Sequence, residues 1–168
     1  DGTSPLFMAA QRGRLAVVRF LLEAEADVER GTTDGATPLM IAASEGHCAI
    51  ARLLVVAGAD GAAVTPDGLD AIFCAAEKGH SDIVALLCER RCEVNRAIKS
   101  GATPLFVASQ EGHRDVVSCL CTLRADTRQA THDGTTPLIV ACLEGHSTVI
   151  RLLRDRGADC DQSMESGA

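Results

Sequence analysis

Apolar residues along this chain come in two kinds of burst, separated by polar, turn-forming stretches. The first kind is compact: Leu39-Met40-Ile41-Ala42-Ala43 opens behind Thr37-Pro38 and closes on Glu45-Gly46. The second is spaced, with Ile50, Leu53, Leu54 and Ala57 at three- and four-residue intervals that place them on one helical face. Thr37 suits an N-cap, because its hydroxyl accepts from a free backbone N–H, and Pro38 suits the first helical position, where no donor is needed. Gly46 follows closely and suits a left-handed helix end, so the first helix is short. The spaced burst predicts a second helix from His47 to Ala57, ended by Gly58. From Ala59 through Thr65-Pro66-Asp67-Gly68 turn formers dominate, which predicts a hairpin or extended finger. One unit is therefore two antiparallel helices and a finger.

The pattern repeats every 33 residues without a gap, giving units 1–33, 34–66, 67–99, 100–132 and 133–165. Ser166-Gly167 opens a sixth at 166–168. Self-similarity at this period marks a solenoid, in which a unit too small to enclose its own apolar face stacks on its neighbours. Register then gives the core: Val17, Ile50, Ile83, Val116 and Val149 form one row, and Leu21, Leu54, Leu87, Leu120 and Leu153 another. A third, Ala9, Ala42, Ala75, Ala108 and Ala141, implies close helix approach.

Thr37-Pro38-Leu39, Thr103-Pro104-Leu105 and Thr136-Pro137-Leu138, each followed by a small-residue pair and then Gly-His, resemble the ankyrin repeat. The resemblance covers essentially the whole chain and implies one all-α solenoid of helix pairs with projecting fingers, acting as a noncatalytic scaffold that binds a partner protein. In that family contacts come from finger tips and the exposed side of the first helices. Carried to this chain, the surface comprises Thr65, Leu69, Glu77 and Lys78 in the middle, then Ile98, Lys99, Ala102, Gln110 and Glu111, then Thr131, His132, Thr135, Leu143 and Glu144. Asp34, Ala36, Ser44 and Glu45 extend it toward the N-terminus. Leu69, Ile98 and Leu143 are apolar where the repeat does not require it, which marks them as expected anchors. The resemblance also implies a modification: Leu87, Glu93, Val94 and Asn95 match the L-x5-[DE]-V-N pattern at which ankyrin finger asparagines are hydroxylated in animal cells. One departure is shared by all units. Where the family pattern has His after T-P-L, this chain has Phe7, Met40, Phe73, Phe106 and Ile139, an apolar row expected to pack between units.

Charge and composition narrow the function. The formal net charge is −7, which opposes attraction to phosphate backbones, and the four Phe with no Trp or Tyr leave little to stack on bases. Arg90, Arg91, Arg96 and Lys99 are outweighed by acidic neighbours in the same unit, so nucleic acid is not an expected partner. No long apolar run and no basic-then-apolar leader is present, so neither a membrane span nor a secretory signal is expected. The eight cysteines mostly take apolar positions: Cys88 and Cys121 match Leu22 and Val55, Cys119 matches Phe20 and Leu53, Cys74 matches Met8 and Ile41, and Cys142 matches Ala10 and Ala43. Equivalent residues on stacked helices lie roughly 8 to 10 Å apart, beyond disulfide reach, which points to a reducing intracellular setting, cytoplasmic or nuclear. Their spacings are not those of a zinc module. His47, His80, His113 and His146 recur by register as a ladder, not a cluster, so no metal or other cofactor is expected. Glu45, Glu111 and Glu144 have no convergent nucleophile, so no enzyme activity is expected. The array is expected to be a monomer. Two other readings stand beside the scaffold: a recruitment segment of a larger enzyme or effector, and a thiol-responsive module, which would need exposed, low-pKa thiols.

Individual units deviate. The first has Arg14 for His and Glu25 for a helix-ending glycine, and its outer boundary, with Phe20, Leu21 and Leu22, carries no polar cap. The third has Asp70-Ala71-Ile72 for Thr-Pro-Leu, which preserves the N-cap but not the proline, and Arg91 where glycine ends the second helix elsewhere. Arg124 repeats that weakness in the fourth. In the fifth, Arg154-Asp155-Arg156 offers a polar end to the stack.

Overall fold

The computed structural model describes residues 2–89 and 93–161. Ten helices are found there, in five antiparallel pairs: α1 Pro5–Gln11 and α2 Leu15–Glu23, α3 Pro38–Ser44 and α4 Cys48–Val56, α5 Ala71–Lys78 and α6 Ser81–Cys88, α7 Pro104–Gln110 and α8 Arg114–Thr122, α9 Pro137–Leu143 and α10 Ser147–Asp155. No strand is found among the described residues. The sequence places α4 between His47 and Ala57, and the helix lies one residue inside that range at each end. Every first helix starts on a side-chain cap. Ser4, Thr37, Asp70, Thr103 and Thr136 accept from the N–H groups of Phe7, Met40, Phe73, Phe106 and Ile139 at 3.1, 3.3, 2.8, 3.2 and 3.3 Å.

Helices of seven to nine residues are too short to persist alone in water, so their stability comes from the stack. First helices pack in the order α1–α3–α5–α7–α9 and second helices in the order α2–α4–α6–α8–α10. The alanine row lies between the first helices: Ala42, Ala75, Ala108 and Ala141 are fully buried. Leu54, Leu87, Leu120 and Leu153 are likewise at 0 % exposure. Phe7, Met40 and Phe73 are buried and Phe106 is partly buried against the core, so the apolar row after T-P-L is packing.

Two core expectations change at the ends. Val17 is exposed although its equivalents are buried, because no described unit packs on this face. Cys142, expected as a small apolar filler, is exposed at the fifth unit, where no further described unit packs on it. Cys48, Cys74, Cys119 and Cys121 are half-buried, and burial raises each thiol, that of Cys74 to about 12. These four are held protonated near neutral pH and are poor nucleophiles or metal ligands. No His, Cys, Asp and Glu grouping suited to a metal occurs among the described residues, and no helix there is long and apolar enough to cross a membrane.

The irregular units show how sequence departures are absorbed. Glu25 and Arg124 take the left-handed backbone, at φ 59° and 65°, in the place of glycine. A side chain there costs about 1 to 2 kcal/mol, which the neighbouring packing offsets. Arg90, Arg91, Cys92 and Ser166-Gly167 lie outside the described residues. In the third unit Asp70 does cap α5, but it is only 2 % exposed. Burial pushes its carboxyl above the ordinary 3.8, against smaller opposing pulls from the Phe73 N–H and the Arg96 charge. A carboxyl that binds its proton more tightly folded than unfolded favours the fold at low pH, and that contribution is lost as pH rises from 3.8 through the raised folded value. Asp70→Thr restores the hydroxyl cap of the other units without a buried charge. It is expected to raise the melting temperature near neutral pH, with a gain that shrinks as pH falls below the ordinary carboxylate range. Melting curves across that range test it, and a gain constant with pH would exclude the buried carboxylate as its cause.

Candidate functional site

The candidate surface is set by two backbone devices. The fingers are tight turns closed by one recurring bond: Thr32, Thr65, Ile98 and Thr131 donate their N–H groups to the carbonyls of Ala36, Leu69, Ala102 and Thr135 at 3.0, 2.9, 2.9 and 3.0 Å. Neighbouring fingers are joined where Lys99 N–H donates to the Asp67 carbonyl and His132 N–H to the Ser100 carbonyl. The second device is the histidine ladder. Nε2–H of His47, His80, His113 and His146 donates to the carbonyls of Gln11, Ser44, Glu77 and Gln110, at 3.2, 3.1, 2.9 and 2.8 Å. Each acceptor lies in the last turn of the first helix of the preceding unit, so every rung ties one unit to the last. This accounts for the four ladder histidines; in the first unit their position is held by Arg14.

The acceptors matter because the next residue is the exposed one. Glu45, Lys78, Glu111 and Glu144 are exposed at the ends of successive first helices, and the first three directly follow a carbonyl that accepts a rung. Asp34, Lys99, His132 and Leu143 are also exposed. Ala36, Ser44, Thr65, Glu77, Gln110 and Thr131 are half-buried, with part of each surface available. The remaining expectations need correction. Ala102 and Thr135 are 7 % and 6 % exposed, because their place in the finger stem turns them onto the next helix start. Leu69 and Ile98 are half-buried and packed against the core, so they are stem contacts rather than free anchors. Leu143 is 70 % exposed, but it lies on the fifth unit, where no further described unit packs on it.

Sequence reasoning left out Gln11 and Arg12, which occupy the same positions in the first unit. Register alone would have included them. The charges on this side are wet: Lys78 pairs with Glu77 at 3.2 Å and Lys99 with Asp67 at 3.3 Å. Such exposed pairs contribute at most about 1 kcal/mol. Hydrogen bonds from the hydroxyls of Thr32 and Thr131 hold the carboxyls of Asp34 and Asp133 below the ordinary value. Asn95 Oδ1 accepts from the Asp126 N–H at 2.9 Å, so the asparagine marked by the hydroxylation pattern ties its finger to the next unit. Glu29 does the same for Asp60 at 2.7 Å.

A family model of ankyrin repeats matches the chain three times, over residues 1–65, 56–130 and 72–164. No curated protein matches it closely enough to count as a relative.

Proposed function

We infer, because this chain belongs to the ankyrin repeat family, whose repeats are generally protein-interaction modules, that it is a noncatalytic scaffold binding a partner protein along the ends of its first helices and its fingers. The observation that carries this reading is the exposed row Arg12, Glu45, Lys78, Glu111 and Glu144. Its members stand 33 residues apart and vary in charge while the buried rows beside them stay constant. A fold needs no such variation, whereas a partner with an irregular surface does. The net charge of −7 supports a protein over a nucleic acid as the occupant. Protonated, half-buried thiols are consistent with a reducing compartment.

The test is a comparison of two faces against a partner captured from a cell lysate. Reversing charge at Glu45, Lys78 and Glu111 together leaves the core untouched, since all three side chains are exposed. It is expected to weaken binding at least about tenfold at an unchanged melting temperature. Glutamate at Arg52, Arg114 and Arg151, exposed on the second helices, is expected to leave affinity unaltered. The opposite pattern would place the site on the convex side.

A further inference from the structure

Successive second helices leave grooves between them on the convex side, and the lining changes from one junction to another. Between α2 and α4 the groove is a cavity of about 350 Å³ lined by Leu15, Arg19, Ala49, Arg52, Leu53 and Val56. Two of these residues are apolar where the repeat does not require it. The position of Val56 holds Glu23, Glu89, Thr122 and Asp155 in the other units and is exposed in all five, and Val56 itself is 69 % exposed. This openness belongs to the position in every unit, internal ones included, and not to an end of the array. The position of Leu15 holds Cys48, Ser81, Arg114 and Ser147 elsewhere. Arg19 and Arg52 occupy one position in adjoining units, so they flank the groove from its two helices, whose axes lie roughly 8 to 10 Å apart. Both are exposed, and neither is in an ion pair among the described residues. The equivalent groove between α6 and α8 has the opposite character: Ala85 and Ser118 stand in place of the two arginines, and Asp82, Glu89 and Asp115 line it.

We propose that the groove between α2 and α4 docks an amphipathic helix of a partner protein, one that carries a carboxylate between two apolar residues. The layout of the groove sets this pattern. Leu15 opens α2 and Val56 closes α4, so apolar surface lies toward both ends, with the two arginines between. Helices of nine residues are about 13 Å long, which gives a guest about two and a half turns of contact. A guest with apolar side chains at i and i+7 and Glu or Asp at i+3 or i+4 presents all three on one face. Its carboxylate then lies between two guanidiniums, each with donors for a charge-assisted bond, and it relieves their mutual repulsion. Apolar contact supplies the affinity, and the arginine pair selects an acidic guest over a basic one. The net charge of −7 opposes an anionic membrane or a nucleic acid as the occupant. This site lies away from the first-helix ends and fingers, and neither reading depends on the other.

The test titrates the whole isotope-labelled chain with a capped alanine-based helical peptide of about 15 residues bearing Leu, Glu and Leu at i, i+4 and i+7, followed by NMR. Saturable shifts are expected at the amides of Leu15, Arg19, Ala49, Arg52, Leu53 and Val56. The same peptide with Lys in place of Glu is expected to bind at least about tenfold more weakly. Val56→Glu and Arg52→Ala install what the third unit already carries at those positions, Glu89 and Ala85, so each variant is expected to melt as the parent does. Each is also expected to weaken peptide binding at least about tenfold, whereas Asp115→Ala, in the acidic groove, is expected to leave it unaltered. Absence of saturable shifts at millimolar peptide, equal binding of the Lys peptide, or indifference to Val56→Glu would each overturn the proposal, as would an equal loss in Asp115→Ala. Vesicles of phosphatidylserine and phosphatidylcholine are the remaining arm: binding of the parent that Val56→Glu abolishes would assign the groove to a membrane surface instead.

Discussion

Replacing Leu87 with alanine is expected to destabilise the protein by about 2 to 5 kcal/mol, a large share of the roughly 5 to 15 kcal/mol that holds a typical domain. The residue sits at 0 % exposure in α6, the middle second helix, which packs on α4 on one side and α8 on the other. Loss of its side chain therefore opens a void that neither neighbouring unit can fill without disturbing its other junction. In a stack held by nearest-neighbour contacts the damage divides the array, so hydrogen-exchange protection should fall in the second to fourth units together. The companion substitution is Leu21→Ala, at the same position in the first unit. Leu21 is only half-buried, so its loss is expected to cost less than half as much in denaturant titrations. Equal costs at dilute concentration would mean that the outer face of the first unit is covered in solution.

That contrast between equivalent positions also separates what was legible in the sequence from what was not. Register identified the helices, their caps and the buried rows, because each of those depends on residues within one unit. Thr37 caps α3 through an N–H only three residues away, and no knowledge of the rest of the chain is needed. Exposure at Val17 and Cys142 was not legible, because it depends on which neighbour a unit lacks. The surface anchors failed for a related reason. Leu69 and Ile98 looked dispensable when each finger was read alone, yet a finger stem presses on the core beneath it. The histidines lay between these cases: their recurrence showed a shared cause, but the acceptor belongs to the preceding unit, 36 residues back. Local chemistry was readable from one unit, and junction chemistry needed two.

The largest effect at a junction is expected from Gly46→Ala. Gly46 has φ 75°, a left-handed conformation that costs a side-chain-bearing residue about 1 to 2 kcal/mol. It also carries the His80 ring: a Cβ added here would meet His80 Cε1 at 2.5 Å and Nδ1 at 2.8 Å, closer than such atoms approach. The ring cannot simply swing away, because its Nε2–H donates to the Ser44 carbonyl at 3.1 Å. Displacing it forfeits that bond, about 1 kcal/mol, or strains the packing by about 1 to 3 kcal/mol. A total of about 2 to 5 kcal/mol follows from adding either to the backbone cost. Gly145→Ala separates the contributions. Its φ of 78° is the same within a few degrees, yet nothing stands within 4 Å of its Cβ position, so only the backbone cost applies. The excess at Gly46 over Gly145 measures the ring contact, and combining Gly46→Ala with His80→Ala should cost less than the two changes summed, since the collision is then gone. If the two glycine variants melt alike, the ring does not seat on the glycine, and the close Gly-His approach is not what joins one unit to the next.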